Sequence, residues 1–271
     1  VGLMSRLMRE PVRTFSIGFA GDRRFDETSY ARLVAKRFGT RHTEFIVEPS
    51  AVRLIERLVY HHDGPFADSS AIPTYLLAQL TRRHVTVALN GDGGDELFAG
   101  YLRVSAALLA ERMPRWARAA ASGLGSRLPS SGPMRGPVRR LQKFAAGARG
   151  SLVERVSRWV SVFYDDLPQL LPGYEDRSTP PAPIHLLEPS LRRASEASAL
   201  TRLLYLNLTT YLLDDLLVKA DRCSMAHALE VRSPFLDREL VEYAFSLPDA
   251  MKLRRGRTKY ILRRACADLV P

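Results

Sequence analysis

The 271-residue chain is poor in cysteine and tryptophan, with two of each, and contains no long apolar run; each shortage removes a class of protein. Cys223 and Cys266 are far apart and outside any C-x-x-C spacing. Neither a disulfide framework nor a zinc cage is expected, and both cysteines read as small buried residues. No stretch approaches about 18 consecutive apolar residues, and V-G-L-M-S-R-L-M-R at the N-terminus lacks the apolar centre of a secretory signal. A cytoplasmic location with no membrane partner is the expectation. His42 and His227 lack metal-ligand spacing and read as structural.

Acidic residues are also short, 29 against 40 basic ones, giving a net charge of +11 carried almost wholly by arginine. Such a balance suits nucleic acid, a membrane surface or an anionic substrate. The arginines are thickest between Arg103 and Arg158 and have no interleaved aromatics. That pattern favours a solvated basic surface over a nucleic-acid footprint.

The first hundred residues alternate strand-like and helix-like stretches. V-R-T-F-S-I-G-F at 12–19 is β-branched and aromatic, and breaks at Gly21 and Asp22. Thr28 to Phe38 has Tyr30, Leu33, Val34 and Phe38 at helical spacing before Gly39, a C-terminal stop. A strand at 43–47, a helix at 51–60 capped by Pro49-Ser50, a helix opened by Pro73 and a buried strand at 85–89 follow. The order β-α-β-α-α-β argues for a parallel sheet covered by helices, with ligands expected beyond its strand ends, at Ser16-Ile17-Gly18 and Asn90-Gly91-Asp92. Residues 105–199, broken by Pro114, Pro129, Pro133, Pro137, Pro172 and P-P-A-P at 180–183, read as a helical insertion. A long buried helix begins near Leu200, and the C-terminal part holds helices near 237–245 and 257–268. Three parts are expected: a nucleotide-binding core at 1–104, the insertion at 105–199, and a helical part at 200–271 completing the site.

The most informative run is V-T-V-A-L-N-G-D-G-G-D-E-L-F-A-G-Y-L-R at 85–103. A short apolar stretch passes into three glycines and three carboxylates, Asp92, Asp95 and Glu96. Glycines let backbone amides approach a ligand closely, and clustered carboxylates repel unless a cation sits among them. A helix start with an acidic first turn is the plainer reading. An EF-hand is excluded because D-x-[DN]-x-[DN]-G is absent.

The run resembles the second signature of the asparagine synthetase family, S-G-[DE]-G-[GS]-D-E-L-F-x-G-Y, with Asn90 standing where that family usually has Ser. Four further segments match in order: T-F-S-I-G-F with F-D-E-T-S-Y-A-R-L-V-A-K-R-F-G-T-R-H-T-E at 14–44, D-G-P-F-A-D-S-S-A-I-P-T-Y-L-L at 63–77, L-V-K-A-D-R-C-S-M-A-H-A-L-E-V-R-S-P-F-L-D at 217–237, and R-T-K-Y-I-L-R-R-A at 257–265. The resemblance implies an α/β fold with a doubly wound parallel sheet of the adenine nucleotide alpha-hydrolase kind. It also implies ATP and Mg2+ as cofactors. A carboxylate, the aspartate side chain above all, would be activated as an acyl-adenylate with release of pyrophosphate, then amidated by ammonia from glutamine. A glutaminase domain in the parent chain is implied, and a homodimer is open.

By the same resemblance Asn90 and Gly91 lie against the nucleotide and Ile17 lines the adenine pocket. Asp95 is the Mg2+ ligand, and Asp92 holds the amine or accepts its proton. Tyr101 stands with Arg103 at the mouth of the site, or packs its ring on the core. Glu96 supports the site from behind or simply favours the first helical turn. Asp68, Ser69 and Ser70 precede a helix, as substrate ligands or as its cap. Lys219, Asp221 and Arg222 are charges in an apolar helix, which calls for an ion pair or a substrate contact; Lys219 and Asp221 are candidate substrate ligands. Glu230, Arg232 and Asp237 read as buried pairs that fix the fold.

The family's pyrophosphate loop, S-G-G-x-D-S-S, and its R-x-K-x-x-F segment are not in this sequence, and no glutaminase cysteine is present. The expectation is an interior fragment, inactive alone. Two other readings stay open: a related adenylating amidotransferase or cyclase acting on a β-lactam, peptide or sugar, and a basic non-catalytic binding module.

Overall fold

The alternation of strands and helices is borne out in the computed structural model of the chain. It describes residues 1–19, 26–47, 51–126, 144–145, 147–148, 150–152, 154–156 and 182–270. The elements of the first part are α1 (Gly2–Leu7), β1 (Arg13–Phe19), α2 (Thr28–Phe38), β2 (Arg41–Val47), α3 (Ala51–His62), α4 (Ala71–Thr81) and β3 (Val87–Leu89). The Gly21-Asp22 break, the Pro49-Ser50 cap and Pro129, Pro133, Pro137, Pro172 and Pro180 lie outside the described residues. Helix α2 starts where Asp26 Oδ1 accepts the Thr28 amide at 2.9 Å, and ends at Gly39 with φ +59°, the left-handed conformation that a residue without Cβ adopts at least cost.

The chain divides into two compact units. One contains Val1–Gly94, Tyr211–Tyr243 and Ile261–Pro271; the other contains Asp95–Thr210 and Ala244–Tyr260. In the first, β1 and β2 run parallel, in register from Arg13↔Arg41 to Phe19↔Val47. The rings of Phe15 and Phe45 stack there at 6.2 Å, with His84 beside both. His42 bridges Thr14 Oγ1 at 3.0 Å and Ser16 Oγ at 3.2 Å, a structural role. Strand β3 pairs in parallel with β4 (Glu230–Arg232). Helices α3 and α4 share a core with α10 (Val218–Met225), built on Leu58, Ala71, Tyr75 and Cys223. Each large apolar side chain removed from water there contributes roughly 1.5–3 kcal/mol.

The second unit is helical. It holds α6 (Leu102–Arg112), α7 (Arg115–Ser126), α8 (Ala182–Arg193) and α9 (Ala199–Asn207), around Val104, Ala107, Leu191, Leu200, Leu203 and Leu204. Ser198 caps α9 by accepting the Thr201 amide at 3.1 Å while donating to Asp249 Oδ1 at 2.9 Å. Helix α5 (Gly94–Phe98) follows the glycine-rich loop; α11 (Arg238–Ser246), α12 (Asp249–Lys252) and α13 (Tyr260–Ala265) complete the chain.

The structure differs from the sequence-based expectation at five points. The described strands form two separate parallel pairs rather than one sheet, so what stands is a mixed α/β protein with small parallel sheets. Strand β3 is shorter than 85–89 and is not buried: Val87 is 40% and Leu89 48% exposed, because β4 is its one paired neighbour among the described residues. The helix from 200 is α-helical only to Asn207, then π-helical over Leu208–Leu217. Side chains account for the change: Asn207, Thr209 and Thr210 donate to the carbonyls four residues back at 2.8, 2.9 and 2.7 Å, and such bonds compete with the backbone ladder. Glu230 and Arg232 pair at 2.7 Å on the surface, and exposed Asp237 caps α11 by accepting the Glu239 amide, since all three side chains reach water. Cys223 is buried but Cys266, near the chain's end, is half-exposed.

Candidate functional site

Strand β3 hands the chain to half-buried Asn90, whose backbone amide bonds back to the Arg232 carbonyl at 3.0 Å. Its side chain works in two directions. Nδ2 donates to Asp92 Oδ2 at 2.5 Å, and Oδ1 accepts the Ser233 hydroxyl at 2.6 Å. Gly91 and Gly93 flank Asp92, and Gly93 has φ +92°; a Cβ there would run into Leu236, so glycine is required at that turn.

Asp68 and Ser70 precede α4. Asp68 Oδ1 accepts the Ser70 amide at 2.8 Å and Oδ2 the Ser70 hydroxyl at 2.9 Å, so Asp68 closes the turn that starts the helix. The helix begins at Ala71, two residues ahead of Pro73. Lys219, on α10, donates from Nζ to Asp68 Oδ2 at 2.5 Å and to Ser70 Oγ at 2.7 Å. The pair satisfies the buried cation that the apolar helix demanded. Asp221 and Arg222, by contrast, point outward, and Arg222 pairs with Asp63 at 3.1 Å. Their charges need no internal partner. Ser69 is exposed.

These groups form one electrostatic cluster. Burial pushes the Asp92 carboxyl above its usual range, with Lys219 and the Asn90 hydrogen bond opposing. Burial also raises Asp68, but the Lys219 and Ser70 hydrogen bonds outweigh it and leave that carboxyl below its usual range. Asp215 joins them: burial and then the Asp68 charge raise it against the pull of Lys219. Sequence reading missed Asp215, although its spacing four residues before Lys219 on one helical face was a signal. Beneath the cluster, burial pushes the Cys223 thiol up to about 11, so it carries no nucleophile at neutral pH. Ile17 sits in the other parallel pair, opposite Phe45.

The second unit carries the other half of the acidic run. Asp95 is 39% exposed and its Oδ1 lies 3.0 Å from Lys259 Nζ. The Lys259 amide bonds to Phe98 O at 2.9 Å with φ +52°, which fixes the lysine beside the acid. Lys259, within R-T-K-Y-I-L-R-R-A, was not singled out from sequence. A Cβ on Gly100 would collide with the Asp95 carboxylate, so glycine leaves room for that pair. Glu96 lies in the first turn of α5, is 1% exposed, and accepts a short hydrogen bond from the Tyr101 hydroxyl. Tyr101 packs its ring on the helical core, one of its two readings, and lies under the Arg103 guanidinium at 3.7 Å.

Among the described residues no three His, Cys, Asp or Glu side chains come together as a metal cage. Mg2+ does not require one, because it is held by one or two carboxylates with waters and substrate phosphates. Asp95 is a hard oxygen donor, partly exposed beside Lys259, and fits that donor set. No described helix is long and apolar enough to cross a membrane.

Comparison with known proteins finds relatives along nearly the whole chain. It is 31% identical over 268 residues to asparagine synthetase (glutamine-hydrolyzing) 1 of Bacillus subtilis, which covers 96% of this chain and 40% of the relative. It is 25% identical over 274 residues to asparagine synthetase 3 of the same organism, covering 97% and 38%. It is 24% identical over 310 residues to the amidase chyE of Penicillium rubens, covering 100% and 43%. The chain thus spans about two fifths of the length of the curated relatives it matches. The profile of the family described as asparagine synthase matches residues 1–271 from end to end. The chain belongs to the asparagine synthase family.

Proposed function

We propose that this chain is the synthetase part of an ATP-dependent ligase that activates a carboxylate and then amidates it. The arrangement that carries the reading is the Lys219 ammonium, held by Asp68 and Ser70 within electrostatic reach of Asp92 and Asp215. The fold assignment that goes with it is a doubly wound sheet with 1–104 as nucleotide core, 105–199 as insertion and 200–271 completing the site.

The substrate carboxylate attacks the α-phosphorus of ATP and pyrophosphate leaves, giving a mixed anhydride with AMP. Ammonia then attacks the carbonyl carbon, AMP departs, and the attacking nitrogen loses a proton. Lys219 offers its charge to a carboxylate or phosphate, and its bonds to Asp68 and Ser70 fix it in place before the substrate arrives. Asp92 takes the proton. Its raised pKa brings it closer to the amine it serves than a solvated carboxylate would be. Asn90 holds that carboxylate in one orientation. Asn90 and Gly91 line the nucleotide with Ile17, while Ser69, Asp221 and Tyr101 are secondary contacts. Asp95 would hold Mg2+, which when bound would supply neutralisation of phosphate charge. The aspartate side chain is the proposed carboxylate and glutamine, through a separate glutaminase domain, the nitrogen source.

The test uses the protein that carries this domain. Aspartate-dependent exchange of labelled pyrophosphate into ATP is expected. Asp92→Asn should keep exchange while losing amide formation. Exchange and amidation falling equally in that variant would remove the proton-acceptor role, and absence of exchange with every carboxylate offered would remove the adenylation. The match to an amidase along the full chain favours a second reading in which the carboxylate is not aspartate; exchange driven by another acid decides it.

A further inference from the structure

The arginine surplus has no part in the proposed chemistry, yet part of it is organised. A cavity of about 610 Å³ in the helical unit is lined by Arg115, Arg118, Arg155, Arg202 and Glu111. Four guanidiniums therefore face one carboxylate, a surplus of three positive charges. Glu111 is already committed: it accepts a short hydrogen bond from Arg155, which is 1% exposed and also donates to the Ser151 and Ala107 carbonyls. Among the described residues, that leaves Arg115, Arg118 and Arg202 to whatever enters the cavity.

Two local rules are broken there. Arg115 and Arg118 occupy the first turn of α7, a twelve-residue helix with no acid in that turn, where the helix dipole disfavours cations and favours anions. Arg202 Nε is buried and has no hydrogen-bond partner among the described residues. A buried donor left unpaired is destabilising. Both features become favourable if an anion sits between the helix start and the guanidiniums, accepting from Arg202 Nε and the Arg115 and Arg118 forks.

We propose that this cavity is a binding site for a small multivalent oxyanion, a polycarboxylate or a polyphosphate. The inference is independent of the proposed ligase activity. It is tested on the full chain by calorimetric titration with citrate and with pyrophosphate at fixed ionic strength. Saturable binding of at least one anion is expected, weakened about tenfold or more in the Arg115→Gln, Arg118→Gln double variant. Arg118→Lys should recover part of the loss, since it restores charge without the fork. Protection of Arg115 and Arg118 from phenylglyoxal by the bound anion, read peptide by peptide, provides a measurement that needs no variant. Affinity for both anions unchanged in the double variant, or no protection, overturns the proposal. So does tight binding of single-stranded RNA through these arginines with steep salt dependence and no competition by citrate or pyrophosphate, which would make the surface a nucleic-acid interface.

Discussion

Lys219 Nζ lies 2.5 Å from Asp68 Oδ2, closing a contact between residues 151 positions apart. The ammonium is held on one side by the turn that starts α4, and its charge also bears on Asp92 and Asp215.

Lys219→Met should leave the Asp68 carboxylate half-buried without its cation, at a cost of about 2 kcal/mol, below that of a fully buried pair. In a double-mutant cycle with Asp68→Asn the two changes should couple by about 1–2 kcal/mol, read from urea midpoints. Strict additivity would mean that the contact carries no energy.

Asp92 and Asp68 should respond oppositely to pH. The folded state holds the Asp92 proton to higher pH than the unfolded chain, so its stabilising contribution is full below about pH 4 and is lost as pH rises through the raised value. Asp68 contributes above about pH 4 and loses that contribution as pH falls through its lowered value. Asp92→Asn is therefore expected to be more stable than the parent at pH 7, on the order of 1 kcal/mol, with the advantage vanishing under acid conditions. Denaturant midpoints at the two pH values check it; an advantage independent of pH would assign the gain to packing.

Gly100→Ala should push the Asp95 carboxylate off Lys259, because the new methyl would occupy its place. Nucleotide-dependent activity should fall by about 100-fold, the scale of a roughly 1 Å misplacement, while the far-ultraviolet circular dichroism stays that of the parent. Retained activity would argue that Asp95 has no exact position to keep.

Thiol titration separates the cysteines. Cys266 should react with a disulfide reagent in the native chain, and Cys223, buried and with a thiol pushed up to about 11, only after denaturation. Two reactive thiols under native conditions would contradict the packing of α10 on α4.

Sequence periodicity carried most of the element order, because helices such as Thr28–Phe38 and strands such as Arg13–Phe19 obey their own local patterns. Long-range pairing was less legible. That Lys219 needed a partner followed from its apolar helix, but that Asp68 supplied it did not, since no local rule links a turn to a helix so far along the chain. Burial was misread for Glu230 and Arg232, where alternation in a three-residue strand is too short to assign faces. The π-helical segment arose from side-chain hydrogen bonds at Asn207, Thr209 and Thr210, which composition does not announce.

Asn90 has a consequence for how such a chain drifts over evolutionary time. One amide serves both Asp92 and Ser233, 143 positions away. A serine at 90 has one hydroxyl proton and a shorter reach, and could not span the same two partners. Exchange at either position alone leaves a half-buried polar group unanswered, so residues 90 and 233 are epistatic: the order in which they change decides whether each step is tolerated.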